Sequence, residues 1–133
     1  MRIFFVGDFK NNTGPGMANK AIRKGLVGNK NVVFSDANNK LTRTLEIVVK
    51  ILLSDGVCFC SFSKINILGI KVAGFLNKKT FYLMHGYSTL ESKINNKNIT
   101  DDQIMKINKY EKYIFRNVEC VFCVSEAFMN YME

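Results

Sequence analysis

Short apolar runs alternate with longer amphipathic stretches along this chain, and no other feature restricts its fold as strongly. The apolar runs occupy residues 2–7, 31–35, 57–62, 80–84 and 120–124. Strands that alternate with helical segments are typical of βαβ units, in which the strands are parallel. The first run is continuously apolar rather than alternating, as expected of a strand that is covered on both faces. The sequence therefore predicts an α/β fold with a five-stranded parallel sheet.

The connections between the strands predict how the layers are arranged. Crossovers between parallel strands are right-handed. With a switch point beside the first strand, they give the strand order 3-2-1-4-5 with helices on both faces. A chain of 133 residues, 47% of them hydrophobic, is long enough for one core but not for two. We therefore expect residues 1–133 to form a single Rossmann-like domain, a three-layer sandwich.

Residues with known terminal preferences indicate where helices begin and end. Pro15, at a first-turn position, predicts a helix that begins after Gly14 and ends near Gly28. Thr100 and Gln103 have the spacing of a capping box. Ser125 has the position of an N-cap for a last helix. The first helix is predicted to face the sheet with Met17, Ala18, Ala21, Ile22 and Leu26.

A helix predicted over residues 39–54 is strongly amphipathic. Its polar stripe contains Glu46 and Lys50, whose spacing permits an i,i+4 ion pair. Its wide apolar face comprises Leu41, Leu45, Val48, Val49 and Leu52.

The longest stretch without predicted structure is residues 85–99, which are rich in Asn, Lys and Ser. Loops of this length are usually functional or mobile. This one follows the carboxyl end of a strand, where open α/β sheets bind ligands. We predict that residues 87–99 are mobile and lie near a ligand site.

The formal net charge of +8 favours partners that carry phosphates, namely nucleic acid, anionic lipid or a phosphorylated substrate. A solvated basic surface without a specific partner is the simpler alternative. No aromatic and basic motif supports nucleic-acid binding. No apolar run is long enough for a membrane span or a signal peptide, so a cytoplasmic protein is expected.

The four cysteines, Cys58, Cys60, Cys120 and Cys123, lie in predicted strands, where reduced thiols act as small apolar residues. The Cys-x-x-Cys spacing at the fifth strand resembles a zinc motif, but Val121 and Phe122 favour a strand over the turn that zinc ligands need. No metal site is expected.

Two segments are candidates for chemistry. The loop from Gly7 to Gly16 joins the first strand to the first helix, where backbone N–H groups and the helix dipole favour an anion. It lacks both the dinucleotide-binding and the P-loop glycine patterns, and its glycines alternatively serve only to form a turn. His85, the sole histidine, ends the fourth strand and is a candidate catalytic residue, or else a packing residue. Asp8 and Glu91 are either sugar-binding or simply solvated carboxylates.

Three motifs together resemble the N-terminal domain of GT-B glycosyltransferases of family 4. They are Asn12-Thr13-Gly14-Pro15-Gly16-Met17-Ala18-Asn19, Phe81-Tyr82-Leu83-Met84-His85-Gly86 and Val121-Phe122-Cys123-Val124-Ser125-Glu126. The resemblance implies a hexosyltransferase domain that faces the acceptor. In that family a second domain, absent from this sequence, carries the donor motif and holds the nucleotide-sugar donor.

The resemblance also implies a set of functional residues. It places catalytic His85 near the transferred sugar, and Gly14 and Gly16 near the donor phosphate or the acceptor. The remaining substrate-binding residues that it implies are Asn12, Thr13, Gly86, Tyr87, Ser125 and Glu126. The donor is a substrate, so no cofactor or metal is expected. The acceptor is a glycan or a lipid-linked molecule, and the protein is expected in the cytoplasm with peripheral contact to an anionic inner membrane face.

The alternative function is a non-catalytic, flavodoxin-like module that binds a phosphate ligand or regulates a partner. The loop after the first strand would then hold a phosphate without catalysis. If the glycosyltransferase interpretation holds, the chain alone is expected to fold without transferring sugar, because a half-cleft leaves the donor diphosphate in water.

Overall fold

The computed structural model describes residues 1–126 and residue 130, and these residues form one all-parallel sheet with five helices. The strands are β1 (Ile3–Val6), β2 (Val32–Phe34), β3 (Gly56–Cys60), β4 (Lys79–Met84) and β5 (Cys120–Cys123). The helices are α1 (Gly14–Leu26), α2 (Lys40–Leu52), α3 (Ile65–Phe75), α4 (Ser88–Asn95) and α5 (Asp101–Asn117). The predicted α/β class and five-stranded parallel sheet are confirmed. The predicted last helix, capped by Ser125, lies mostly outside the described residues.

The strand order is β2-β1-β3-β4-β5, so the predicted order 3-2-1-4-5 is wrong. Helix α2 carries the chain from β2 past β1, and β3 then pairs with the free edge of β1, where Phe4 lies opposite Val57. Burial explains the choice, because all five residues of β3 are buried while the three residues of β2 are half-buried at the edge. The Rossmann order is 3-2-1-4-5-6, and removing its edge strand 3 and renumbering the rest gives the order seen here. The same order is found in flavodoxin-like folds. Topology is therefore compatible with both fold families.

Right-handed crossovers place the helices in two layers. The connection from β1 to β2 crosses the sheet in one direction, and the later connections cross it in the other direction. Because all of them are right-handed, α1 lies on the opposite face of the sheet from α2, α3 and α5. The main core lies under α2, α3 and α5 and contains Phe4, Val6, Ile47, Ile51, Val57, Phe59, Ile70, Ala73, Tyr82, Met84 and Ile114. A smaller core on the α1 side is built on Phe9, Cys58 and Cys60.

The inward face of α1 differs from the predicted one, and the inward face of α2 is not its wide apolar face. In α1, Met17 and Ala21 are exposed, and the buried residues are Gly16 and Asn19. In α2, Ile47 and Ile51 point into the core, which leaves the wide apolar face with Leu41, Leu45, Val49 and Leu52 exposed. The predicted ion pair is present, with Lys50 Nζ 2.5 Å from Glu46 Oε1. None of the described helices combines the length and apolar character needed to cross a bilayer.

Residues 85–99 are not structureless, because they contain α4. A carboxylate from α5 holds the start of this helix. The side chain of Glu111, which is completely buried, accepts hydrogen bonds from the backbone N–H groups of Ser88 (2.8 Å) and Thr89 (3.2 Å) and from the Thr89 hydroxyl (2.7 Å). A charged acceptor on a helix N-terminus also meets the positive end of the helix dipole. Glu111 therefore fixes α4 directly after the carboxyl end of β4.

Replacement of this carboxylate tests its role as an anchor. We expect Glu111→Gln to lower the free energy of unfolding by about 1–3 kcal/mol, because hydrogen bonds to a charged group are lost in a buried site. Glu119→Gln, at an exposed residue near the end of the same helix, should change it by less than about 0.5 kcal/mol. Urea unfolding of both variants measures the difference. Equal stability of the two would show that Glu111 does not anchor α4.

Candidate functional site

The carboxyl ends of β1, β3 and β4 meet at one edge of the sheet and form a cleft of about 340 Å³. The cleft lies at the switch point between β1 and β3, where sheets of this order bind ligands. Three connections supply its walls: the β1–α1 loop, the β3–α3 loop, and the turn from β4 into α4. Its lining consists of Asp8, Thr13, Pro15, Gly16, Ser61, Phe62, His85, Gly86, Ser88, Glu91 and Ser92.

Asp8 organises the β1–α1 loop. Its Oδ1 accepts hydrogen bonds from the backbone N–H groups of Lys10 (3.0 Å) and Asn11 (3.1 Å), and its Oδ2 accepts one from Asn11 Nδ2 (2.6 Å). Burial works to raise the pKa of Asp8, but these hydrogen bonds and the nearby Arg43 outweigh it and hold the pKa below its usual value. Asp8 is therefore anionic at neutral pH. The backbone N–H groups of this loop were predicted to bind an external anion, but two of them donate to the Asp8 carboxylate instead.

The start of α1 is closed by its own cap. The Thr13 hydroxyl accepts a hydrogen bond from the backbone N–H of Gly16 at 3.2 Å, and Pro15 has no N–H to offer. Gly16 is buried, and a Cβ atom there would lie 2.5 Å from the carbonyl oxygen of Asn11. Gly14 is exposed, with open space where a Cβ would stand. Of these two glycines, only Gly16 has a steric need to be glycine, and only Gly16 lines the cleft.

His85 is held by a buried amide that the sequence motifs did not single out. Asn19, on the inward face of α1, is completely buried, and its Oδ1 lies 2.8 Å from His85 Nε2. The amide of Asn19 also donates from Nδ2 to the carbonyl oxygen of Asp8 at 3.1 Å and to Ser61 Oγ at 3.5 Å. This one side chain joins the ends of β1, β3 and β4.

These contacts determine the tautomer of His85. Because Asn19 Nδ2 donates to a carbonyl oxygen, its Oδ1 is the atom that faces the imidazole, and Oδ1 can only accept. His85 Nε2 must therefore carry a proton. Burial lowers the pKa of His85 below its ordinary value of 6.5, so the ring is neutral at pH 7. Nδ1 then has a free lone pair, and no hydrogen bond to it is found within residues 1–126 and 130.

Ser61 is strained. It follows β3 with φ = 70°, a left-handed conformation that is uncommon for residues other than glycine. Its backbone N–H donates to the Leu83 carbonyl at 3.0 Å, and its own carbonyl accepts from Nδ2 of the buried Asn66 at 2.9 Å. Conformations of this kind cost about 1–3 kcal/mol and cluster at functional sites. The fold maintains this strain where Ser61 lines the cleft.

The other predicted site residues are dispersed. Gly86 lines the cleft, close to the carboxylate of Glu91 on α4. Tyr87 packs on the main core instead, with its ring stacked on Phe115 at a centroid distance of 6.5 Å. Asn12 is exposed and accepts a hydrogen bond from Lys20 Nζ. Ser125 and Glu126 are exposed after β5 and do not line the cleft.

The cleft carries no basic side chain among its lining residues. Its ionisable groups are Asp8, Glu91 and neutral His85, and its other polar side chains are hydroxyls. Lys10 and Arg43, at the same edge of the sheet, line a separate recess of about 390 Å³ between the ends of β1 and β2, together with Asp8 and Asp36. There, Lys10 Nζ donates to the Asp36 carbonyl and Arg43 Nη2 to the Gly7 carbonyl.

In the part of the chain that is described, no group of three or more His, Cys, Asp and Glu side chains is placed to hold a metal ion. Cys120 and Cys123 both belong to β5, as the strand-forming residues between them predicted. Residues three apart in a strand point to opposite faces of a sheet, so these two thiols do not converge.

Comparison with known proteins found no protein family, curated protein or solved structure that matches the chain. The resemblance of the three motifs to family 4 glycosyltransferases stays a prediction from the sequence.

Two glycines two residues apart give a matched test of the loop. We expect Gly16→Ala to lower the free energy of unfolding by about 1–3 kcal/mol, because the added methyl group meets the Asn11 carbonyl and the Thr13 cap. Gly14→Ala has space and should stabilise the protein by about 0.4–1 kcal/mol. Thermal or urea unfolding measures both. Similar effects of the two substitutions would contradict the loop geometry.

The contact between Asn19 and His85 predicts how the imidazole titrates. In the wild-type protein, the NMR titration midpoint of the single imidazole should lie below 6.5, because burial disfavours the imidazolium. Asn19→Asp places a negative charge beside Nε2, favours the imidazolium, and should move the midpoint above 6.5. Asn12→Asp, on the exposed part of the loop, adds the same charge as a control and should move it much less. Equal shifts in the two variants would exclude the contact.

Proposed function

We propose that this chain is the acceptor-side domain of a nucleotide-sugar-dependent glycosyltransferase, and that its cleft binds the hydroxyl groups of a sugar. The proposal combines the motif resemblance with the chemistry of the cleft. His85 and Gly16, which two of those motifs contributed, converge at the switch point of the sheet.

The charge of the cleft is the observation that favours a sugar over a phosphate. Asp8 and Glu91 supply carboxylate oxygens, and Ser61, Ser88 and Ser92 supply hydroxyls. Carboxylates accept hydrogen bonds from sugar hydroxyls, whereas they repel a phosphate. The loop N–H groups that would otherwise attract an anion already serve Asp8. A neutral, hydroxyl-rich ligand fits this site best.

His85 has the geometry of a hydrogen-bond acceptor. With Nε2–H committed to Asn19, the Nδ1 lone pair of the neutral ring accepts the hydrogen bond of a sugar hydroxyl. A positioned acceptor that takes up the proton of a reacting hydroxyl accelerates transfer by general base catalysis. Asn19 is then a positioning residue, because it acts on the substrate only through His85.

A complete reaction needs a second domain that holds the donor. The described cleft is open to water on one side, and preorganised charges stabilise a transition state strongly only where water is excluded. We therefore expect the 133-residue chain to bind a sugar weakly and to transfer none.

A phosphate-binding module without catalysis is the second candidate, and the recess beside β2 favours it. Lys10 and Arg43 line this recess, and the Nε of Arg43 is buried without a hydrogen-bond partner in the described part of the chain. If the protein is such a module, the phosphate would occupy the recess rather than the cleft, and His85 would not contact the ligand.

Chemical-shift mapping separates the two functions. Nucleotide sugars, their free hexoses and inorganic phosphate are titrated in turn into the isotopically labelled chain. The proposed function predicts that the sugars perturb the Ser61 amide and the His85 ring, and that His85→Ala weakens this binding at least about tenfold, the loss of one hydrogen bond in a partly dry site. Perturbations confined to Lys10, Arg43 and their neighbours, and caused by phosphate alone, would instead support the phosphate-binding module.

In any longer polypeptide that contains a donor domain, His85→Ala should lower kcat by about 10²–10⁴ while circular dichroism stays unchanged, because a general base contributes about that much. Lys30→Ala, at an exposed residue between α1 and β2 that does not line the cleft, is the control and should retain most activity. Unchanged kinetics of the His85 variant would return this residue to a packing role.

A further inference from the structure

The outer surface of α2, α3 and α5, here called the outer helical face, exposes an unusual number of large apolar side chains. Phe75 is 87% exposed and Leu41 is 79% exposed. Exposed apolar residues of the same face are Leu45, Val49, Leu52, Leu68 and Met105. An apolar patch of this kind on a single domain marks an interaction site.

Cationic side chains lie next to this apolar surface. A groove of about 740 Å³ between α3 and α5 is lined by Lys71, Lys109, Lys112 and Arg116 together with two tyrosines. The ammonium group of Lys71 lies 6.0 Å from the centroid of the Tyr113 ring. Lys71 also lines the apolar groove between α2 and α3, which contains Leu52 and Phe75. The basic and apolar parts therefore form one continuous surface.

Acidic side chains of the same helices do not neutralise it. Helix α3 contains none. In α2, Glu46 is paired with Lys50 and accepts hydrogen bonds from the N–H groups of residues 36 and 37, on the side away from α3. In α5, Glu111 is buried, and Asp101 and Asp102 lie in the first turn, at the opposite end from Arg116.

We propose that the outer helical face binds the surface of a bilayer that contains anionic lipids. In this arrangement Phe75 and the leucines of α2 enter the interface between headgroups and acyl chains. Lys71, Lys109, Lys112 and Arg116 contact the headgroup phosphates. Surfaces that combine apolar and basic side chains bind anionic membranes in this way, and each Lys or Arg near the surface strengthens binding. The proposal does not depend on the proposed sugar chemistry, because the cleft lies at the carboxyl edge of the sheet.

Two other occupants fit the surface less well. A symmetric dimer through this face would bring the cations of two copies together, because a twofold interface juxtaposes the same patch of both subunits. A nucleic acid would satisfy the cations but would leave Phe75 and the α2 leucines in water. An anionic bilayer is complementary to both parts.

The test is co-sedimentation of the full chain with two kinds of vesicle, phosphatidylcholine alone and phosphatidylcholine mixed with phosphatidylglycerol. We expect binding to the mixed vesicles that weakens as salt is added, and little binding to the neutral ones. Lys71→Gln/Lys109→Gln should lower the partition coefficient about thirtyfold, from roughly a factor of five per cation. The control, Lys24→Gln/Lys30→Gln, removes two exposed cations from α1 and the loop after it, and should lower the coefficient much less.

The apolar contribution is tested separately with Phe75→Ser, which we expect to reduce binding about tenfold. Its control is Val27→Ser, at a residue that is 74% exposed on the other side of the sheet. No binding to the mixed vesicles, equal binding to both kinds, or equal loss in all four variants would overturn the proposal. A concentration-dependent dimer that Phe75→Ser dissociates, without vesicle binding, would also overturn it and would assign the face to a second copy.

Discussion

The reversal of direction at β1 is the constraint on which the rest of this structure depends. The chain first steps from β1 to β2 and then, through α2, crosses to the other side of β1 to form β3. Because crossovers are right-handed, this single reversal puts α1 on one face and α2, α3 and α5 on the other. It also separates the β1–α1 loop from the β3–α3 loop, and the space between them is the cleft.

Local features of the sequence predicted local structure well. Thr100 and Gln103 form the capping box, Glu46 and Lys50 form their ion pair, and all five apolar runs are strands. The strand order was predicted wrongly because it depends on which strand is buried most completely, and the difference between three half-buried residues of β2 and five buried residues of β3 is a tertiary property. The inward side of α2 is likewise a tertiary property, since this helix has two apolar sides and the sheet covers the narrower one, with Ile47 and Ile51.

The candidate site was predictable only in part. Position after a strand indicated His85 and Gly16, because the carboxyl edge of a parallel sheet is where such residues meet. Asn19 gave no signal of its own, since an asparagine on a helix is ordinarily exposed, and its role becomes visible only when α1 brings it between His85 and the Asp8 carbonyl. The left-handed conformation of Ser61 was equally hidden, because Asn66 and Leu83, which hold it, belong to other elements.

The net charge of +8 can be interpreted once the positions of the charged side chains on the structure are known. A basic protein suggests a phosphorylated substrate, yet the cleft contains two carboxylates and no Lys or Arg among its lining residues. The groove between α3 and α5 shows the opposite, with four cations and no acidic side chain in its lining. In the two proposals, attraction to anions and recognition of a ligand are therefore assigned to different surfaces. Salt screens the exposed cations of the groove strongly, whereas the hydrogen bonds among Asn19, His85 and Asp8 are partly buried and far less sensitive. If the outer helical face binds anionic membranes as proposed, ionic strength should control that binding without altering the geometry of the cleft.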